Sequence, residues 1–249
     1  MTDRRVAVLN YHRVVPDGGQ REFYDVTESA FDAQMRLLAE RGTPQSGGEV
    51  RIDDGMSAYV TFDDGTDDHH RAARVLADLG LSGVFFVVTG KLDIPGRLTT
   101  DQVKEMANAG HRIGSHTVTH ARLPEAGDDE LSHELKESKR ALEGMLDTEI
   151  DWLAPPGGLF DPRVISAATG AGYRVIRTME WGYADHPLEG RIPTLPVIPT
   201  YDLDGFNRLL DGRAPLWRYR LKTGFKQVVG ETTYVRVRDA AYGLLRRSG

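Results

Sequence analysis

Short apolar runs alternate along the chain with segments of helical periodicity. The runs have the length of buried strands, and the intervening segments repeat apolar residues every three to four positions. This alternation predicts parallel strands joined by helices, as in an α/β domain. The predicted strands span residues 5–11, 58–62, 83–88, 112–114, 151–154, 173–177 and 192–198.

Helix start signals support the predicted helices. Thr99 with Gln102 three residues later has the capping-box pattern, and Asp128 or Asp129 can cap the longest helix. The glycine-rich stretch 42–55 is expected to be a surface loop. The predicted helices span residues 31–40, 68–79, 100–109, 128–146 and 162–171.

About seven strand–helix alternations favour a (β/α) barrel whose chemistry lies on the loops after the strands. Polar or rigid motifs do follow four of the predicted strands. These motifs are Asp63-Asp64, His116 with His120, Pro155-Pro156-Gly157-Gly158, and Glu180-Trp181. We therefore expect the candidate residues to meet at one rim of the barrel.

Composition limits the chemistry. The chain has 249 residues, of which 40% are hydrophobic, and it has no cysteine. Disulfides and thiolate sites are therefore excluded, and a bound metal must be held by His and carboxylate, which would suit zinc or a similar divalent ion. No run approaches the roughly 18 to 20 apolar residues of a membrane span, and the first residues do not resemble a signal peptide, so we expect a cytoplasmic protein.

Charge is distributed unevenly. The net charge is −6, yet residues 213–249 carry nine basic and two acidic side chains. We predict a barrel over residues 1–212 and a basic helical C-terminal extension over 213–249. The extension either packs on the acidic barrel as solvated helices or contacts an anionic lipid or phosphate-bearing substrate at the inner face of the membrane. Nothing in the sequence indicates nucleic acid binding.

The acidic pair Asp63-Asp64 ends an apolar strand, where two carboxylates are costly unless a cation lies beside them. His116 and His120 are spaced so that both can reach one ion. One aspartate would complete a two-His, one-carboxylate site, and the other would be free to act as a base. These residues indicate a metal-dependent hydrolase.

The strings Thr-Phe-Asp-Asp-Gly at 61–65 and Ser-His-Thr-Val-Thr-His at 115–120 resemble the first two motifs of the polysaccharide deacetylase family, also called the NodB-homology or carbohydrate esterase family four domain. Segments 11–13, 83–87 and 110–114 also resemble that family in order and spacing, and the resemblance covers roughly residues 5–200. It implies a distorted, NodB-like (β/α) barrel that removes N-acetyl or other acyl groups from amino sugars with one divalent metal.

The resemblance assigns roles by position. Asp63 would be the general base, and Asp64, His116 and His120 would hold the metal. Zinc is expected, with cobalt, nickel or manganese as alternatives. A bound cation polarises the acyl carbonyl, and the free carboxylate takes a proton from the attacking water.

Two family motifs are incomplete. The third usually begins with an arginine that holds the base, but here it reads Ala-Pro-Pro-Gly-Gly at 154–158. The last usually contributes a histidine as general acid, but Leu-Pro-Val-Ile-Pro at 195–199 has none. The partner of Asp63 and the general acid therefore cannot be assigned from the resemblance.

Candidates for the open roles near the same rim are His12, Glu180 with Trp181, and Asp185-His186, although His186 before Pro187 also fits an ordinary surface residue. His12 follows the first strand and could supply the acid, or could instead bond a neighbouring loop. Glu180 could orient a catalytic partner and Trp181 could wall the acyl pocket, or they could be a loop charge and a core aromatic. Pro155, Pro156 and Gly157 would form a rigid wall for the substrate.

The sequence thus predicts an enzyme that removes an N-acetyl or similar acyl group from an amino sugar or sugar-containing intermediate. In a cytoplasmic setting the substrate would be a small sugar or one linked to a nucleotide, a lipid or a natural product. Two alternatives stay open: an O-deacetylase, which needs less protonation of its leaving group, and a non-catalytic carbohydrate-binding protein that keeps the metal.

Overall fold

The fold is described by a computed structural model that covers residues 4–19, 22–52 and 55–216. The strands are β1 (Arg5–Tyr11), β2 (Arg13–Val15), β3 (Asp25–Thr27), β4 (Gly42–Pro44), β5 (Glu49–Ile52), β6 (Met56–Phe62), β7 (Val84–Val87), β8 (Arg112–Ser115), β9 (Trp152–Leu153), β10 (Val175–Trp181), β11 (Ala184–Asp185) and β12 (Gly190–Pro196). The helices are α1 (Glu28–Arg41), α2 (Asp68–Asp78), α3 (Thr100–Asn108), α4 (Asp128–Leu146), α5 (Pro162–Gly170) and α6 (Leu203–Leu210).

The strands predicted from the apolar runs close into a barrel. β1, β6, β7, β8, β9, β10 and β12 are parallel, and each is hydrogen-bonded to the next around the ring. The ring closes because β1 pairs with β6 on one side and with β12 on the other. The predicted fold class, an α/β barrel of about seven strands, is confirmed.

The stretch 42–55 is not simply a surface loop. It contains β4 and β5, and β5 extends the sheet by pairing antiparallel with β6. Val50 and Ile52 are buried while Arg51 between them is exposed. This period-two pattern is that of a strand with one buried face, and the surrounding glycines concealed it.

The helices follow their capping signals, with two corrections. The capping box at Thr99 and Gln102 is present, as predicted. The residue that caps α4 is Gly127, so Asp128 and Asp129 lie in the first turn, where their charges favour the positive end of the helix dipole. α6 was not predicted; it begins after Asp202, whose side chain accepts a hydrogen bond from the Gly205 amide.

Aromatic rings pack beneath the carboxyl ends of three neighbouring strands. Phe62 on β6 stacks on Phe85 of β7 with ring centroids 4.5 Å apart, and Tyr11 on β1 stacks on Phe62 at 5.5 Å. The Tyr11 hydroxyl donates to Gln34 of α1 at 2.8 Å. Buried aromatic pairs of this kind fix the strand ends, and therefore the residues that follow them.

One compact unit ends at Arg213. The predicted helices of the basic extension lie outside the described residues, so they and their packing on the barrel stay predictions. In the part of the chain that the structure covers, no helix has both the length and the apolar character needed to cross a membrane.

Candidate metal centre and active site

The residues after β6 and β8 converge on one point. Asp64, His116 and His120 each offer a ligand atom, and these atoms lie within 4.8 Å of one another. One oxygen of Asp64, Oδ1, is 3.4 Å from His116 Nε2 and 3.1 Å from His120 Nε2. Two imidazole nitrogens and a carboxylate oxygen form a donor set that suits zinc and similar divalent ions.

The ring of His116 is oriented by its second nitrogen. Its Nδ1 donates to the carbonyl oxygen of Ala154, at 2.6 Å, and the side chain is buried. A carbonyl oxygen can only accept, so Nδ1 carries a proton and Nε2 is the nitrogen that faces Asp64. Such an orienting bond is typical of histidines that hold metals, and the three residues fit a divalent cation.

The loops that carry these side chains have unusual backbone conformations. Asp64 has φ 82°, Thr117 has φ 68° and His120 has φ 71°, all in the left-handed region. Residues other than glycine adopt this region only when their surroundings hold them there. At Asp64 part of the restraint comes from Arg97, which donates to its carbonyl oxygen at 2.8 Å.

Glu134 of α4 holds the histidine loop. Its carboxylate accepts hydrogen bonds from the amides of Val118 and Thr119 and from the Thr119 hydroxyl, at 2.8, 3.0 and 2.7 Å. Burial by itself would raise the pKa of Glu134, but these hydrogen bonds favour the charged form and the net effect lowers it. Sequence reasoning missed Glu134, because an acidic residue within a helix gives no signal of its tertiary partner.

Asp63 lies next to the Asp64-His116-His120 cluster, but its side chain bonds different partners. It is buried, and its two oxygens accept hydrogen bonds from Arg177 and from Asn10, the latter at 3.3 Å. Burial would raise the pKa of Asp63; the positive charges around it, that of Arg177 above all, outweigh burial and lower it. Asp63 is therefore held apart from the Asp64-His116-His120 cluster, in surroundings that favour its charged form.

Arg177 fills the role that the third motif leaves open. It lies on β10, is fully buried, and pairs with Asp63 through Nη2. Its guanidinium also lies 5.1 Å above the ring of Phe86, and its Nη1 contacts the sulfur of Met179 at 3.2 Å. One signal could have found it: Arg177 is a charge inside an otherwise apolar strand run, and buried charges require partners.

His12 reaches the same carboxylate from the end of β1. Strands β1 and β6 pair with Tyr11 beside Phe62, so the next residues, His12 and Asp63, are neighbours. His12 Nε2 lies 3.8 Å from Asp63 Oδ2. Burial lowers the pKa of His12, and the carboxylate of Asp63 partly offsets this.

The predicted pocket wall follows β9, and the Glu180-Trp181 pair ends β10. Pro155 and Pro156 are buried, and the turn that they begin packs on β10. Trp181, half-buried, ends β10 opposite Thr194 of β12, after a bulge in the strand. Their roles as substrate-binding residues, together with that of Gly157, stay predictions.

The Glu180 carboxylate is half exposed. It pairs with Arg191 at 3.3 Å and accepts a hydrogen bond from the Thr178 hydroxyl at 3.4 Å. Asp63 accepts its hydrogen bonds from Arg177 and Asn10, and no hydrogen bond joins Glu180 to Asp63 among the described residues. A direct part for Glu180 in catalysis stays a prediction.

Together these features define a class of protein, a seven-stranded (β/α) barrel with an Asp-His-His cluster beside a buried, arginine-held carboxylate. The sequence model of the family described as polysaccharide deacetylase matches residues 51–176, which is half of the chain. The chain belongs to the polysaccharide deacetylase family, as its motifs predicted. The predicted enzyme class, a carbohydrate de-N-acetylase, agrees with the names of its relatives.

Relatives and solved structures show the same affiliation. The chain is 28% identical to YxkH of Bacillus subtilis, named for the same family, over 72% of this chain and 66% of YxkH. It is 26% identical to a peptidoglycan-N-acetylglucosamine deacetylase of Bacillus cereus, over 56% of this chain and 62% of that protein. The chain thus spans just under two thirds of the length of these curated relatives.

The barrel is also found in solved structures. A polysaccharide deacetylase of Bacillus cereus superposes with a TM-score of 0.74 at 26% identity, covering 84% of this chain and 69% of that one. This likeness extends well beyond residues 51–176, so the strands outside the matched segment belong to the same fold.

Proposed function

We propose that this protein is a metal-dependent hydrolase that removes an N-acetyl or similar acyl group from an amino sugar or a sugar-containing intermediate. The observation that supports the proposal is that two adjacent carboxylates face different partners. Asp64 faces the two histidines, whereas Asp63 faces Arg177 and Asn10. One carboxylate is thus available to a metal and the other to a proton.

Asp64, His116 and His120 would hold the metal, for which zinc is the first expectation and cobalt, nickel or manganese the alternatives. When bound, a divalent cation would polarise the acyl carbonyl and make the attacking water more acidic. Asp63 would accept a proton from that water as its oxygen bonds to the carbonyl carbon. Arg177 keeps the Asp63 carboxylate ionised and fixed in direction.

Amide hydrolysis also requires a proton for the leaving nitrogen, because an amine anion is a very poor leaving group. His12 is the candidate, since its Nε2 lies 3.8 Å from Asp63 at the rim of the barrel. In its protonated form, which the neighbouring carboxylate of Asp63 stabilises against burial, His12 would donate that proton as the carbon–nitrogen bond breaks. The products are the free amine and a carboxylate, acetate when the group is N-acetyl.

The geometry favours catalysis over the non-catalytic alternative. A protein without turnover could lack the arginine and the histidine that the family's third and last motifs usually carry. Arg177 and His12 bring a guanidinium and an imidazole to Asp63 from other strands. An O-deacetylase would use the same centre, so this alternative becomes an outcome of the test.

Acetylated carbohydrates are the substrate class that the relatives support. Their names include deacetylases of peptidoglycan and of chitooligosaccharides. Linkage of the sugar to a nucleotide, a lipid or a natural product stays a prediction, as do a cytoplasmic location and membrane contact through residues 213–249.

Sedimentation of the intact protein with anionic but not neutral vesicles would support membrane contact. Absence of binding to either kind of vesicle would refute it.

The function is tested by acetate release from a panel of N-acetyl and O-acetyl sugars, with zinc, cobalt, nickel or manganese added. We expect Asp63→Asn to lose about 100-fold or more in turnover, typical for an essential base, while it still binds metal. The matched control is Asp78→Asn, at an exposed position of α2, which should act like the wild type. Release from esters alone would indicate an O-deacetylase, and equal rates for Asp63→Asn and wild type would refute the mechanism.

A further inference from the structure

An aromatic stack covers the imidazole of His12. The ring of Tyr24 lies nearly parallel to it, at an interplanar angle of 17° with centroids 4.6 Å apart. Phe23 in turn packs edge-on against the ring of Tyr24, with ring centroids 4.7 Å apart. These distances are those of favourable aromatic contacts.

The small sheet formed by β2 and β3 produces this stack. The two strands are parallel, with Arg13 beside Asp25 and Val14 beside Val26. The residues that precede the first pair, His12 and Tyr24, therefore come side by side. The segment that carries Tyr24 is further fixed by Asp25, whose carboxylate accepts from the Glu22 amide at 2.7 Å.

His12 differs from His116 in how its ring is held. Nδ1 of His116 donates to a backbone carbonyl, but Nδ1 of His12 is buried and has no hydrogen-bond partner among the described residues. The backbone of His12 is fixed, because its carbonyl oxygen accepts a hydrogen bond from Nε2 of buried His69. The face of Tyr24, stacked on the His12 ring, therefore restrains the plane of that ring.

We propose that Tyr24 is a positioning residue for His12, holding the plane of its imidazole so that Nε2 faces the leaving nitrogen. This inference rests on the proposed function, in which His12 donates the proton as the carbon–nitrogen bond breaks. A proton donor acts only from within hydrogen-bond reach, and small losses of alignment cost large factors in rate. Tyr24 itself touches neither the substrate nor the reacting atoms in this role.

The test compares two acyl substrates that differ in their need for a proton. Hydrolysis of an N-acetyl amino sugar requires protonation of the amine, whereas 4-nitrophenyl acetate releases a stable anion without it. We expect Tyr24→Leu to lower kcat on the amide by about tenfold with little change in KM, and to leave the aryl ester nearly unaffected. Tyr24→Phe keeps the flat ring and should restore the wild-type amide rate.

Two further variants separate positioning from general damage. His12→Gln should lose the amide reaction selectively and by a larger factor than Tyr24→Leu. Tyr59→Leu removes another aromatic contact, that with Trp152 at 5.5 Å, and should change thermal stability without changing the amide-to-ester ratio. Should Tyr24→Leu fail to fold, Tyr24→Met retains a bulky apolar side chain without a flat face and is expected to show the same selective loss.

The outcomes distinguish the inference from the function on which it rests. No amide hydrolysis by the wild type would overturn both, and an unaffected His12→Gln would overturn the role of His12 and with it that of Tyr24. If His12→Gln loses the amide reaction selectively but Tyr24→Leu does not, the inference about Tyr24 alone is wrong. It is also wrong if Tyr24→Leu lowers amide and ester rates equally, or if Tyr24→Phe fails to restore the amide rate.

Discussion

Arg177 on β10 pairs with Asp63 after β6, although the two residues are 114 positions apart in the chain. Both side chains are buried. A buried carboxylate without a partner would favour its neutral form, which cannot accept a proton from water. This pair therefore connects the stability of the barrel to the chemistry at its rim.

Replacement of Arg177 by Met should lower both the stability of the barrel and the rate of acetate release. Removing one partner of a buried ion pair typically costs about 3–5 kcal/mol in the free energy of unfolding, because the remaining charge is uncompensated. We expect that loss in a urea titration, together with strongly reduced acetate release. Arg140→Met is the control: Arg140 is exposed on α4, and its replacement should change stability by less than about 0.5 kcal/mol. A stable, fully active Arg177→Met would contradict the assignment.

Metal removal should abolish activity and lower the melting temperature. A ligand that binds only the folded state at about 100 times its Kd stabilises it by about 2.7 kcal/mol. Zinc added to chelator-treated protein should therefore raise Tm and restore acetate release. Asp64→Ala should show no such rise, whereas Asp63→Asn should still show it. A zinc-dependent rise in the Asp64→Ala variant would place the metal elsewhere.

Glu134→Gln should weaken metal binding although Glu134 is not a ligand. A glutamine oxygen can still accept from the Val118 and Thr119 amides, which both bond Oε2 of Glu134. The glutamine lacks the negative charge, however, and its NH2 group cannot accept from the Thr119 hydroxyl as Oε1 does. Loss of such supporting groups typically costs about 10–100-fold in metal affinity, measurable by competition with a zinc indicator. Glu137→Gln on the same helix alters an exposed pair with Arg140 and should leave the affinity unchanged. Equal affinities of the two variants would refute this role.

The lowered pKa of Glu134 predicts that the stability of the metal-free protein depends on pH. The native pKa of Glu134 is lowered, so its contribution is present in full above the unfolded pKa of about 4.3 and is lost as pH falls through the native value. The difference in Tm between wild type and Glu134→Gln should therefore be constant near neutral pH and shrink in acid. A Tm difference that grows as the pH falls would contradict a lowered pKa of Glu134 in the folded protein.

Two glycines in the turn after Pro156 provide a matched pair. Both have positive φ, 61° at Gly157 and 66° at Gly158. A Cβ at Gly158 would lie 2.3 Å from Cβ of Met179, while one at Gly157 would meet nothing closer than 3.6 Å. Met179 contacts Asn10 and Arg177, so the clash would disturb the groups that hold Asp63.

We expect both alanine variants to lose about 1 kcal/mol or more from the left-handed backbone, and Gly158→Ala to lose an additional ~1–3 kcal/mol from overpacking. Acetate release should fall further in Gly158→Ala than in Gly157→Ala, because only the first variant disturbs Met179 and the groups that hold Asp63. Urea denaturation and the acetate assay measure the two effects separately. Equal losses in both variants would mean that the contact with Met179 does not matter.

Much of the fold could be predicted because its signals are local. The barrel strands read as apolar runs, and the capping box at Thr99 lies within four residues. The prediction of a loop at 42–55 was wrong, although β4 and β5 pair with each other and with β6 close by in the chain. These strands are only three and four residues long, and strands this short carry a weak pattern of their own, because pairing rather than sequence defines them.

For the candidate site, the sequence determined which side chains are available: adjacent carboxylates, two histidines four residues apart, and strands that place both sets at one rim. Only the tertiary structure decided their partners. Closure of the barrel brings Arg177 to Asp63, α4 carries Glu134 to the histidine loop, and the β2–β3 pair lays Tyr24 on His12. Contacts between residues so far apart in the chain depend on how the strands and helices pack together, and a local sequence pattern does not determine that packing.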